Sequence, residues 1–95
     1  MVTKIIISRV ALKQLKRLPG RIVDKLATWI EAVEIDGIDV VRKLPGYHYE
    51  PLKGQRIGQR SIRLSLAYRA IYRLYNDADV WVVTIIEVNK HDYKK

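Results

Sequence analysis

Apolar residues in this chain repeat at two different periods, and the change between them falls near residue 60. From Arg9 to Ile35 they recur every three or four positions, whereas from Ser61 to Val88 they alternate or run on continuously. A helical period laid out as a strand would turn half of its apolar side chains to water, and the reverse fails equally. The sequence therefore predicts a helical first half and a stranded second half, an α+β domain. With 95 residues there is room for one hydrophobic core, so the domain spans 1–95.

The local signals refine this. Val2 and the β-branched run at 4–7 predict a first strand. Ser8 is placed to cap a helix over 9–18, with Ala11, Leu12, Leu15 and Leu18 on one face and Arg9, Lys13, Lys16 and Arg17 facing away. Pro19-Gly20 stops it. A second helix over 21–35 buries Ile22, Leu26, Trp29, Ile30 and Val33 before Gly37 ends it, and so short a link predicts an antiparallel helical hairpin. Residues 38–59 are irregular, with one more helical turn expected within 38–44. Strands are then predicted at 61–65 and 68–75, a turn at 76–79, and a central strand at 80–88 that is apolar on both faces. The expected order is β-α-α-β-β-β, with the later strands antiparallel in a small curved sheet.

Composition narrows the function. The chain has no cysteine, hence no disulfide framework and no thiolate metal site, and a reducing cytoplasm is the expected location. Its two histidines lie far apart, so no metal or other cofactor is expected. No apolar run approaches the roughly 20 residues of a membrane helix, and the first residues lack the apolar region of a signal peptide. The net charge of +8 favours a polyanionic partner such as nucleic acid, the ribosome or an acidic protein.

That charge is unevenly spread. Residues 1–45 carry nine basic and five acidic side chains, but from Lys53 to Arg73 there are six basic residues (Lys53, Arg56, Arg60, Arg63, Arg69, Arg73) and no acid. Alternation puts Arg69, Ile71 and Arg73 on one strand face and Tyr68, Ala70, Tyr72 and Leu74 on the other. Two arginine forks on one face suit phosphate. Glu50, in the loop leading to this sheet, is open to two uses: a salt-bridge partner, or a base beside a phosphate. The ending Lys90-His91-Asp92-Tyr93 is likewise open, as an exposed terminus or as a proton-transfer group tethered to the central strand. Phosphate-binding glycine loops and nucleophile elbows are missing.

The order of elements, together with Glu50-Pro-Leu-Lys-Gly54, Arg60-Ser-Ile-Arg-Leu64, Tyr68-Arg-Ala-Ile-Tyr72 and Lys90-His-Asp-Tyr93, resembles the RelE/ParE toxin superfamily over nearly the whole chain. Within it the chain is most similar to the YoeB-like and HigB-like mRNA interferases. The resemblance implies a type II toxin: a ribosome-dependent, metal-independent endoribonuclease that cleaves mRNA by attack of the 2′-OH. It also implies control by a cognate antitoxin in a hetero-oligomer. By motif, Glu50 would be the general base, Arg69 would stabilise the phosphorane, His91 would be the general acid and Tyr93 would orient the substrate. Lys53, Arg56, Arg60, Arg63, Arg73 and Lys90 would bind RNA. YoeB-like proteins end on adjacent histidine and tyrosine, whereas Asp92 intervenes here as in HigB-like members; His48 is a second candidate acid. Two other readings share the frame. A ParE-like gyrase poison needs no proton-transfer groups, and a passive RNA-binding module would bind without cutting.

Overall fold

The computed structural model describes residues 2–90. Its elements run β1 (Val2–Ile7), α1 (Arg9–Leu15), α2 (Gly20–Asp36), α3 (Ile38–Val41), β2 (Glu50–Pro51), β3 (Gln59–Arg63), β4 (Tyr68–Asp77) and β5 (Val80–Lys90). The strands form one sheet in the order β1-β5-β4-β3-β2. β1 pairs with β5 in parallel and the remaining neighbours are antiparallel. The predicted class and element order hold, with β2 as an addition: two residues carry no readable period.

The helices cover one face of the sheet. Ile22, Leu26, Trp29 and Val33 of α2 meet Ile62 of β3, Ala70 and Tyr72 of β4, and Val83, Ile85 and Val88 of β5 in one buried cluster. The Trp29 and Tyr72 rings lie 5.2 Å apart at 47°, within the tilted geometries that aromatic pairs favour. The first helix is shorter than its apolar pattern predicted. The backbone beyond Leu15 tightens into turns, with Arg17 N–H donating to Gln14 C=O and Leu18 N–H to Leu15 C=O, because a residue before proline is pushed out of the helical region. Leu12, expected on the buried face, is half exposed. The predicted 76–79 turn contracts to Ala78 and Asp79, both at positive φ, the two-residue form whose twist matches flanking strands.

The β5 edge has its own closure. The β4–β5 register shifts between Ile71 and Tyr72, which pair with Glu87 and Ile85 and leave Ile86 as a bulge. β1 pairing ends at Ile85, so the backbone just beyond needs other partners. The Ser8 hydroxyl donates to Ile86 C=O at 2.7 Å, and the Gln14 side-chain oxygen accepts from Val88 N–H at 2.7 Å. Ser8 also caps α1 by accepting from Ala11 N–H. One serine thus starts the helix and ties it to the sheet.

Candidate functional site

The sheet face away from the helices carries three cross-strand rows. Glu50, Ser61, Ile71 and Glu87 form the middle row, read across β2, β3, β4 and β5. Arg63, Arg69 and Asn89 form the row on one side; Gln59, Arg73 and Thr84 form the row on the other. Arg63 and Arg69 stand directly opposite each other. Like charges so placed repel, at a Cβ separation of about 5 Å, and an anion between them relieves that repulsion.

A cleft of about 310 Å³ opens at the Arg63–Arg69 end of this face, and His48, Glu50, Ser61, Arg63 and Arg69 all line it. Strand spacing puts the Glu50 and Arg69 backbones roughly 12 Å apart, two strands across and one row along. Side chains of their length span that gap with one phosphate between them. The Nε of Arg69 is buried without a hydrogen-bond partner among the described residues. An orphaned guanidinium nitrogen on a residue that lines the cleft is an unsatisfied donor at its wall.

The segment Tyr47-His-Tyr-Glu50 explains how two chemical groups reach this cleft. Tyr47 is buried in the core with Lys25 Nζ over its ring at 5.0 Å. The Tyr49 ring has the Arg42 guanidinium 6.0 Å away, and its hydroxyl accepts from Arg60 Nε at 2.9 Å. The two tyrosines anchor the chain, and His48 and Glu50 reach the cleft beside Tyr49, which lines it as well. His48 sits at φ 48° and ψ 50° after a 3₁₀ turn over Pro45–Tyr47. This left-handed conformation is uncommon for a non-glycine residue and occurs preferentially at sites under local constraint.

The remaining expected residues divide. Arg73 is exposed on the open face one row beyond Ile71, and Lys53 is exposed before a 3₁₀ turn over Gly54–Arg56. Arg60 is not with them. It pairs with Tyr72 across β3–β4, points to the helix side by strand alternation, and its Nε donates to the Tyr49 hydroxyl, so the structure places it apart from Arg63 and Arg69 as a support of the cleft wall. Lys90, two residues beyond buried Val88, likewise alternates to the helix side and pairs with Tyr68. Arg56 reaches across the open face to Glu87, Nη2 to Oε1 at 2.6 Å, and also donates to Gln59 at 2.6 Å. His91, Asp92 and Tyr93 lie outside the described residues. Among the described residues no three His, Asp or Glu side chains gather to hold a metal ion.

Glu87 is the site residue that the sequence reading passed over. The signal was present: a carboxylate inside the apolar run of a central strand requires a partner. The apolar character of its neighbours hid it.

No protein-family model and no curated protein matches the sequence. Solved structures show what kind of fold this is: the RelE/ParE-type toxin fold. The YoeB/ParE toxin from Agrobacterium tumefaciens superposes with a TM-score of 0.72 at 21% identity, covering 94% of this chain and 99% of that one. YafQ from E. coli gives 0.74 at 18%, covering 94% and 93%, and RelE in the RelE–RelB complex from Pyrococcus horikoshii gives 0.73 at 18%, covering 99% and 100%.

Proposed function

We propose that this chain is the toxin of a type II toxin–antitoxin pair and acts as a ribosome-dependent endoribonuclease on mRNA in the cytoplasm. The observation that carries the reading is the cleft where Glu50 meets the opposed arginines Arg63 and Arg69, a base beside a phosphate-shaped cation pair. The fold supports it too, since neighbours of this architecture include RelE and YoeB bound to RelB and YefM; a cognate antitoxin is the partner expected here.

In the reaction, Glu50 takes the proton of the 2′-OH as its oxygen bonds to the adjacent phosphorus. Arg69 and Arg63 meet the negative charge that grows on the non-bridging oxygens. The bond from phosphorus to the 5′ oxygen breaks, and an acid protonates that oxygen, leaving a 2′,3′-cyclic phosphate and a 5′-OH. His91 is proposed as that acid and His48, in the cleft wall, as the alternative. Tyr93 would hold the substrate base. No metal enters these steps.

The test is primer extension on translated mRNA after brief expression of the wild type and of Glu50→Gln. Cleavage within translated codons by the wild type, and its loss in the variant at equal expression, is the expected result. Intact mRNA with gyrase-cleaved DNA would move the chain to the gyrase-poison reading. RNA binding without either cleavage would make it a passive binding module.

A further inference from the structure

Glu87 stands one row from the Arg63–Arg69 pair, on a face otherwise suited to phosphate. A bare carboxylate there would repel RNA. It is not bare: Oε1 accepts from Arg56 Nη2 at 2.6 Å and Oε2 from Asn89 Nδ2 at 2.5 Å. The Glu87 side chain is 20% exposed, whereas that of Arg56 is 42% exposed. The pair is thus asymmetric, with a carboxylate rooted in the central strand and a guanidinium on a short 3₁₀ turn, Gly54–Arg56, at the rim. Gly54 begins that turn at φ 67°, a conformation that glycine adopts freely.

Resting on the RNA-binding reading, we infer that Glu87 is a selectivity residue, an internal stand-in for phosphate that holds Arg56 until RNA competes for it. A carboxylate and a phosphate offer the same paired oxygens to an arginine fork. In the free protein, Arg56 is neutralised and adds nothing to the attraction of stray polyanions. A strand seated across Arg63 and Arg69 brings a phosphate within reach of the rim, and Arg56 exchanges one anion for the other. Glu87 also pairs across the strands with Ile71, which is fully buried although it faces away from the helices.

The exchange is read from the salt dependence of binding to poly(U), measured for the wild type, Glu87→Gln, Arg56→Gln and the double variant, each checked for an intact thermal transition. Glu87→Gln removes the competing anion, so its binding should tighten at an unchanged log–log salt slope, whereas Arg56→Gln loses a phosphate contact and its slope should flatten by about 0.7, the value for one phosphate on a single strand. On the Arg56→Gln background that gain should vanish. An Arg56→Gln slope equal to the wild type's overturns the inference, because Arg56 would then meet no phosphate in the complex. So does a gain that persists without Arg56, because it would then come from removing any negative charge. Heparin, which requires no RNA-specific cleft, is run in parallel. Failure to bind poly(U) with the expected pattern on heparin sinks the RNA reading and keeps the exchange; loss of the pattern on both sinks the exchange.

Discussion

In the proposed reaction, Arg69 and Glu50 divide binding from chemistry at the scale of single side chains. Arg69→Ala should weaken ribosome-bound mRNA and slow its cleavage together, because the guanidinium meets phosphate in the ground state and more strongly in the transition state. Arg69→Lys should not restore the rate, since an ammonium lacks the fork. Glu50→Gln keeps size and polarity but removes proton transfer, so binding should persist while single-turnover cleavage drops by about 10²–10⁴-fold. Equal losses in binding and rate for Glu50→Gln would make it a positioning group only. On the other sheet face, burial foremost, with the neighbouring Tyr49, pushes the Tyr72 phenol well above the ordinary value of 10.0. Above that value the unfolded chain releases this proton and the folded chain keeps it, so stability falls as pH rises through the tyrosine range and is unaffected by this group below it. Tyr72→Phe should remove that share of the alkaline loss. It should also cost little at neutral pH, because the hydroxyl has no hydrogen-bond partner among the described residues. Urea melts of both proteins at about pH 8 and about pH 11 bracket the ordinary tyrosine value and decide it.

Among the elements, the junction of α1 with β5 carries a testable cost. Gln14→Leu would fill similar space but leave Val88 N–H, now paired at 2.7 Å, buried without an acceptor. A loss of about 1–3 kcal/mol is expected, read as a lower urea midpoint at unchanged slope; an unchanged midpoint would mean that Val88 N–H finds another acceptor. This junction also marks where sequence reading stops. The period of α2 gave its buried stripe, and alternation gave both faces of β4, because each depends on many residues agreeing. Ser8 was legible as a cap, since capping is local. Its second bond, to Ile86, spans 78 positions and leaves no trace in either segment. The site divides in the same way. Glu50, Arg63 and Arg69 stood out as charge in a readable pattern, while the Arg56–Glu87 pair, 31 residues apart, exists only once β5 is laid beside β4. Tyr47 and Tyr49 looked like composition until the fold showed that they anchor the segment carrying His48 and Glu50.

Taken whole, the molecule keeps its RelE/ParE-type fold at 18–21% identity to the three neighbours compared, so periodicity and topology maintain the frame while the open face is free to carry chemistry. Its net charge of +8 acts at that same scale. A field from many arginines reaches beyond contact distance, and its first effect is on the rate of encounter. The proposed antitoxin should therefore present an acidic segment to the Arg63/Arg69/Arg73 face and associate fastest at low ionic strength. Arg73 is exposed on that face, outside the cleft itself, so Arg73→Glu perturbs the field without removing a cleft group. The variant should slow association several-fold at low salt and change dissociation much less, as rim charges do. The difference should close as added salt brings the Debye length below about 5 Å. Stopped-flow mixing with the antitoxin across a salt series measures both rates. An on-rate unchanged by the charge reversal at low salt would show that the antitoxin does not approach through this face, and that the basic cluster serves nucleic acid alone.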